Sequence, residues 1–183
     1  MEPAVRAVAG LFSPSTGVID SHGLMLAFQG DAEAHGAMIA FHAPVEGGAV
    51  TPEGILLRVG GAEPMELLCR TVVNSAGLHA PQVAASIEGM LQELIPKAYY
   101  AKGNYFSVAG RQPFTHLVYP MPEASVLGVH VTLDLAGQCR FGPDLEWVDR
   151  LDYEVDPRRA GGFYHATPTH YPRPPGGSPP PAH

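Results

Sequence analysis

The sequence predicts a mixed α+β fold in which the strands form mainly antiparallel sheet. Its 21 glycines and 19 prolines in 183 residues indicate many turns and short strands rather than a bundle of helices. An apolar, strand-like run at residues 67–73 turns abruptly into a helix-period pattern that starts at Pro81. Residues 99–141 then contain several β-prone segments separated by glycine and proline.

Composition limits the classes of function that fit the chain. Hydrophobic residues make up 45% of it and charged residues 16%, which is typical of a globular protein. The net charge of −7 and the lack of a basic stripe argue against a nucleic-acid partner. No apolar run approaches the ~20 residues of a membrane span, and no secretory signal follows Met1. We therefore expect no membrane span and a cytoplasmic location.

The cysteines and histidines do not predict a metal centre. Cys69 and Cys139 lie far apart, each in a strand-like run, and are typical of small buried residues in a reducing compartment. A disulfide or a metal pair is the alternative. None of the nine histidines forms a His-x-x-x-His spacing and the cysteines form no Cys-x-x-Cys, so we expect no metal.

A helix and several strands are predicted in the first third of the chain. Asp20 can cap a helix that ends near Gly36, and we expect its apolar positions to pack on a sheet. Strand signals follow at residues 38–41, 49–50 and 55–59. Residues 37–73 are therefore expected to be mostly sheet.

The turn Asn74-Ser75-Ala76-Gly77 is a candidate ligand-binding segment. Its small residues let a backbone approach a ligand closely, and Gly77 can adopt a left-handed conformation. Backbone N–H groups at the start of the next helix, predicted over residues 81–95, could face an anion or a polar heterocycle. The alternative is an ordinary junction between a strand and a helix.

Residues 98–142 predict a second, largely antiparallel unit. Its strand signals lie at residues 99–108, 117–119, 126–133 and 138–141. Its polar aromatic and charged residues are dense enough to predict a pocket face: Tyr99, Tyr100, Lys102, Tyr105, Tyr119, His130 and Arg140. The alternative is an amphipathic sheet whose polar face meets only water.

Five motifs, taken in order, resemble those of one enzyme family. They are PSTGVID at 14–20, VVNSAGLHA at 72–80, AKGNYF at 101–106, VYPMPE at 118–123, and LGVHVTLD at 127–134 with RFGPD at 140–144. Together they are similar to the L-2-hydroxyglutarate dehydrogenase/oxidase group of FAD-dependent oxidoreductases, within the D-amino-acid oxidase and glycine oxidase superfamily. The resemblance covers residues 2–165.

The resemblance implies an α/β parent fold with two parts that are interleaved in sequence. One is a Rossmann-like FAD-binding domain, and the other is a substrate domain built on a mixed, mainly antiparallel sheet. On this basis residues 1–36 are a linker and helix toward the substrate domain, 37–97 a partial FAD-binding domain, and 98–166 the substrate-domain sheet. The proline-rich residues 167–183 are expected to be a disordered tail.

The resemblance also implies the chemistry. It predicts oxidation of a small 2-hydroxy acid such as L-2-hydroxyglutarate to the 2-oxo acid, with FAD as cofactor and oxygen, a quinone or a dye as electron acceptor. It places Ser75, Ala76 and Gly77 beside FAD and makes His130 the catalytic base. The substrate would be bound by Lys102, Tyr105, Tyr119, Thr132 and Arg140.

Each of these residue types also has an ordinary structural role. His130 could be a histidine satisfied by a neighbour, and the tyrosines could be sheet aromatics that serve packing alone. Lys102 and Arg140 are solvated charges by default.

The chain departs from the family pattern in two respects. Family members begin with a Gly-x-Gly-x-x-Gly segment that holds the FAD pyrophosphate, but no Gly-x-Gly occurs among the 21 glycines here. Beyond Tyr164 the likeness fades. We therefore expect an internal piece of such an enzyme. The alternative is a truncated, non-catalytic module that binds a small acid or a partner chain without flavin.

Overall fold

The computed structural model describes residues 2–3, 5–107, 110, 112, 114–121 and 128–161. These residues form two units, each built on its own sheet. The three-stranded unit comprises residues 2–27 and 99–161, and the four-stranded unit comprises residues 28–98. The sheets contain antiparallel pairs and helices accompany them, which confirms the mixed α and β class.

Helix α1 (Ser21–Ala34) forms where it was predicted. The Asp20 carboxylate accepts hydrogen bonds from the backbone N–H groups of His22 and Gly23, which is the expected N-cap. The expectation that α1 packs on a sheet is wrong, because none of its residues is buried. The five consecutive apolar residues 24–28 cover all sides of the helix, so the sequence provides no single apolar face to bury.

The four-stranded sheet has the order β3-β2-β1-β4. Its strands are β1 (Val45–Thr51), β2 (Gly54–Val59), β3 (Met65–Cys69) and β4 (Ile87–Glu88). The β1–β2 and β2–β3 pairs are antiparallel, whereas β4 pairs with β1 in parallel. The strand predicted at residues 38–41 is wrong, because the chain turns there and reaches His42 with a positive φ of 54°.

The strand predicted over residues 67–73 ends four residues early, at Cys69. Cys69 pairs with Ile55, next to the Thr51–Gly54 turn that begins β2. Only Gly54, the first residue of β2, lies beyond this last pair, and residues 71–76 have no regular structure.

The helix predicted over residues 81–95 is also too long. Helix α2 spans only Ala80–Ala85, preceded by a 3₁₀ turn at Gly77–His79. The backbone of Ile87 and Glu88 then pairs with β1, and Gly89 has a positive φ of 83° that ends the segment. Tertiary strand pairing has therefore overridden a helical apolar period, and only a 3₁₀ turn at Gln92–Leu94 follows.

The three-stranded sheet confirms the antiparallel unit that the sequence predicted. It has the order β5-β7-β6, with β5 at Tyr100–Ser107, β6 at His130–Leu133 and β7 at Cys139–Val148. Val118 adds a single antiparallel bridge to Val131 at the outer side of β6. Strand β7 runs further than predicted, because the Gly142-Pro143 pair lies within the strand as an irregularity rather than in a turn.

One face of this sheet carries the main core of the unit. Phe106, Val131 and Phe141 lie side by side in the register and are almost completely buried. Phe114, Cys139 and Ala160 complete the cluster. In the four-stranded unit, only Leu57 and Val59 are buried hydrophobic residues among those described.

Two sequence expectations involve residues that the structure leaves undescribed. The predicted tail at 167–183 lies outside the described residues, as does the 126–127 start of one predicted strand. Among the described residues, no helix is long and apolar enough to cross a membrane.

Hydrogen exchange should distinguish the two units. We expect slower amide exchange in β5 and β7 than in β3 and α2, because the first pair lies over the buried aromatic cluster and the second pair buries no residue. Exchange of the native chain, followed by mass spectrometry of peptides from each strand, measures this directly. Equal protection of all four elements would contradict it.

Candidate functional site

A row of aromatic residues crosses the three-stranded sheet on the face opposite the core. Because side chains alternate along strands, the neighbours of core residues Val118, Val131 and Phe141 point to this other face. Tyr119 is placed beside His130 and His130 beside Gly142, and the Tyr105 side chain lies over Gly142. We call Tyr119, His130, Gly142 and Tyr105 the aromatic row.

His130 is the centre of the aromatic row. It is only 7% exposed, and its Nε2 lies 3.3 Å from the Tyr105 hydroxyl. The Tyr119 ring stacks on the imidazole with 4.5 Å between centroids, and the Tyr105 ring meets it edge-on at 5.9 Å. The Tyr119 residue itself is 59% exposed, so one side of the row faces solvent.

The pKa values in the row favour an uncharged base next to a protonated phenol. Burial lowers the pKa of His130 below its ordinary value, and the backbone of Gly128 only partly opposes this. Burial raises the pKa of Tyr105, and the neighbouring charge of an ionised Tyr119 raises it further. Near neutral pH, His130 is therefore uncharged while Tyr105 keeps its hydroxyl proton.

The Nδ1 atom of His130 is also distinctive. It is buried and has no hydrogen-bond partner among the described residues. Buried polar atoms normally have partners, and exceptions are concentrated at functional sites. The imidazole is therefore held by ring stacking, by the hydrogen bond at Nε2 and by the nearby Gly128 backbone.

A second row on the same face adds a cation and a hydroxyl. Arg140 pairs with Thr132 on one side and with Ser107 on the other. Its Nη2 lies 3.4 Å from an Asp134 carboxylate oxygen, while its Nε is buried without a partner among the described residues. The Arg140 side chain is still 39% exposed, so its guanidinium can meet an anion from solvent.

The structure brings together five of the six residues that were predicted to bind or activate the substrate. Lys102 is the exception. Side chains alternate along β5, so Lys102 lies on the core face with Asn104 and Phe106. Its Nζ lies 3.1 Å from a carboxylate oxygen of Asp152 and donates to the Glu154 carbonyl at 2.7 Å. These partners tie residues 152–154 to β5.

The predicted turn at residues 74–77 forms in the four-stranded unit. Gly77 has the left-handed φ of 57° that was expected there. The Asn74 amide donates to the Ala80 carbonyl at 2.8 Å, and its side-chain oxygen accepts from the Ala76 N–H. Asn74, which sequence reasoning left unassigned, therefore fixes the turn that presents Ser75 and Ala76.

This turn forms one edge of an apolar cavity of about 410 Å³. Such a volume is typical of small-molecule sites. Asn74, Ser75 and Ala76 supply the polar edge, and the remaining lining residues are Val45, Val50, Ile55, Leu57, Val72, Val73, Val83, Ala84, Ile87 and Met90. Gly77 follows the lining residues, and a Cβ there would meet nothing within 4 Å.

The described residues do not gather a metal site. No group of three or more histidine, cysteine, aspartate or glutamate side chains among them lies close enough to hold an ion. The two cysteines within the described part of the chain are free thiols, with Cys139 buried in the aromatic core.

Comparison with known proteins decides the family. Residues 1–178 match the family described as FAD dependent oxidoreductase. The chain belongs to that family. A mitochondrial L-2-hydroxyglutarate dehydrogenase from Arabidopsis thaliana is 34% identical over 94% of this chain and 44% of its own length.

Two further relatives of this FAD dependent oxidoreductase are also named L-2-hydroxyglutarate dehydrogenase. The L-2-hydroxyglutarate dehydrogenase of Escherichia coli strain K12 is 28% identical over 78% of this chain and 34% of its own length. A mitochondrial L-2-hydroxyglutarate dehydrogenase from Pongo abelii is 26% identical, covering 78% and 36%. The chain thus spans less than half the length of each of these relatives.

The apolar cavity fits one part of the family's cofactor. A flat heterocycle suits its aliphatic walls and the polar edge at residues 74–76. The phosphates of FAD find no matching group there, because none of the described lining residues is charged. Helix α2, with six residues, is too short to supply a phosphate site at its N-terminus.

The buried imidazole should make the stability of this FAD dependent oxidoreductase chain depend on pH. Since the pKa of His130 is lowered in the folded protein, the unfolded chain binds a proton more readily. The free energy of unfolding should therefore fall as the pH drops through the ordinary histidine range near ~6.5. Urea titrations between pH 5 and 8, followed by NMR signals of β6 and β7, measure this slope.

A matched pair of variants isolates the contribution of His130. His130→Asn should flatten the slope, whereas His42→Asn should retain it, because His42 is exposed and asparagine tolerates its positive φ. Identical slopes for the wild type and His130→Asn would contradict the assignment.

Proposed function

We propose that the chain is part of an FAD-dependent oxidoreductase that oxidises a small 2-hydroxy acid of the L-2-hydroxyglutarate kind to the 2-oxo acid. The observation that carries this proposal is the aromatic row, in which a buried, neutral histidine meets a protonated tyrosine. Arg140, whose side chain is 39% exposed, lies one row further along the same face. Family membership supplies the cofactor class.

The oxidation needs a group that accepts the hydroxyl proton. His130 fills this role, because burial keeps its ring unprotonated near neutral pH. The proton would reach Nε2 through the Tyr105 hydroxyl, which faces that nitrogen. Tyr105 would give its own proton to Nε2 and take up the hydroxyl proton of the substrate in its place.

The substrate also needs carboxylate partners. Arg140 and Thr132 pair across β7 and β6, which presents a guanidinium and a hydroxyl on the same face as His130. The exposed Tyr119 hydroxyl could donate to the carboxylate next to the reacting carbon. Lys102 is assigned no direct contact, because its charge is used by Asp152 and by the Glu154 carbonyl.

Bound FAD would supply the oxidising chemistry by taking up the two electrons and the hydrogen that leave C2 of the substrate. Ser75, Ala76 and Gly77 would lie beside its heterocycle, with the small side chains of the turn permitting close backbone contact. Residues 37–97 then correspond to a partial, Rossmann-like FAD-binding domain and 98–166 to the substrate-domain sheet. The electrons would pass on to oxygen, a quinone or a dye, in a cytoplasmic setting.

One observation favours a second candidate function. The described cavity lining has no charged residue, and the chain contains no Gly-x-Gly for a pyrophosphate. These features suit a non-catalytic module that uses Arg140 and the aromatic row to hold a small acid without flavin. Such a module would bind L-2-hydroxyglutarate equally well with and without FAD and would reduce no acceptor.

Dye reduction by the native gene product that contains these residues tests both functions. With FAD added, we expect reduction with L-2-hydroxyglutarate and little with its D enantiomer or glycine. His130→Asn should lower kcat/KM by about 10²- to 10⁴-fold, the usual contribution of a general base. Arg140→Met should mainly raise KM.

The control variant His42→Asn should leave both constants unchanged, since His42 is exposed and lies in the other unit. Flavin bound without reduction by any 2-hydroxy acid would contradict the oxidoreductase. Acid binding that is independent of FAD, with no dye reduction, would establish the non-catalytic module instead.

A further inference from the structure

Gly142 occupies the one place in the aromatic row that has no side chain. It pairs with His130 on β6, and on its other side the Tyr105 ring lies directly over its backbone. A Cβ built at Gly142 would lie 2.7 and 2.8 Å from Cδ1 and Cγ of Tyr105, which is closer than real Cβ atoms come to other atoms. The ring can cross β7 only because this position is glycine.

The backbone around Gly142 leaves no other way to accommodate a side chain. The same Cβ would lie 2.6 Å from the carbonyl oxygen of Asn104. Asn104 is 1% exposed, and the Asp144 carboxylate accepts from both its backbone N–H, at 3.1 Å, and its side-chain amide, at 2.7 Å. Arg159 holds the other oxygen of Asp144 at 2.6 Å.

These contacts fix β5 against β7 next to the glycine. A methyl group at position 142 would therefore clash with both the Tyr105 ring and the Asn104 carbonyl, so the ring cannot keep its place over the strand. Moving the ring breaks the 3.3 Å contact between the Tyr105 hydroxyl and Nε2 of His130. That contact is the hydrogen bond that Nε2 of the imidazole makes among the described residues, and the Gly128 backbone acts on the same ring.

We infer that Gly142 is a positioning residue, which sets the protonation geometry of His130 by allowing Tyr105 to reach it across β7. Gly142 touches no substrate in this arrangement and acts only through Tyr105. The inference deepens the proposed function and depends on it only for the chemical role of His130. The hydrogen bond itself can be tested whether or not the chain oxidises anything.

The test is the ratio of the two neutral tautomers of His130, read from its ring nitrogens by NMR above the histidine pKa. In the wild type, the Tyr105 hydroxyl should select one tautomer. Gly142→Ala and Tyr105→Phe should each move the ratio by about three- to tenfold toward that of exposed His22, the effect of losing one net hydrogen bond. Gly161→Ala is the matched control, because a Cβ there meets nothing within 4 Å.

The double variant Gly142→Ala/Tyr105→Phe decides whether Gly142 acts through Tyr105. We expect its ratio to equal that of Tyr105→Phe alone, because the hydroxyl is already absent. A further shift of the ratio by Gly142→Ala in the Tyr105→Phe background would overturn the inference, and so would an unchanged ratio in the single variant.

A second measurement applies if Gly142→Ala does not fold. The wild type should show a nuclear Overhauser effect between the Gly142 α-protons and the Tyr105 ring protons. Its absence would overturn the inference without any variant. A shifted tautomer ratio with unchanged dye reduction in Gly142→Ala would count against the role of His130 in the proposed function, leaving the role of Gly142 intact.

Discussion

The two-sided register of the three-stranded sheet is the constraint on which the candidate site depends. One side of β5, β6 and β7 buries Phe106, Val131 and Phe141. Because alternate residues point in opposite directions, this burial places the neighbours His130, Thr132 and Arg140 together on the other side. A slip of one residue would move the histidine into the core and the valine out of it.

Irregularity within β7 is equally necessary. The register shifts between Asn104 and Phe106, opposite the Gly142-Pro143 pair, and the extra residue is absorbed in β7. The shift leaves Tyr105 opposite the Gly142-Pro143 pair, while Gly142 pairs with His130 on its other side. Asp144, held by Asn104 and Arg159, fixes the strands on the far side of the irregularity. A polar network on the core side thus maintains an aromatic contact on the site side.

Sequence reasoning predicted the parts of this arrangement that depend on local pattern. The Asp20 cap, the left-handed Gly77 and the β-prone segments other than residues 38–41 follow from residue type and spacing, and the structure has strands or a bridge within them. It failed where pairing between distant segments decided the outcome. Ile87 lies in a helical apolar period but pairs with β1. The strand that ends at Cys69 stops beside the first residues of β2.

The candidate site was predictable to a similar extent. Residue type and motif order identified His130, Tyr105, Tyr119, Thr132 and Arg140, and strand alternation explains why they converge. Lys102 belongs to the same motif as Tyr105. Because side chains alternate along β5, however, Lys102 lies on the opposite face, where it forms an ion pair with Asp152. Gly142 was missed because a glycine before proline normally indicates a turn. Its role is seen only in the short distance between the Tyr105 ring and the place that a Cβ at position 142 would occupy.

The central claim is that this face of the sheet recognises a 2-hydroxy acid at the aromatic row. The most direct measurement is an NMR titration of the chain with L-2-hydroxyglutarate, without flavin, which observes the ring signals of His130, Tyr105 and Tyr119. The account predicts saturable shifts at these three rings, weakened by Arg140→Met and absent at exposed His42. Binding that shifts none of the three rings, or no saturable binding at all, would contradict it.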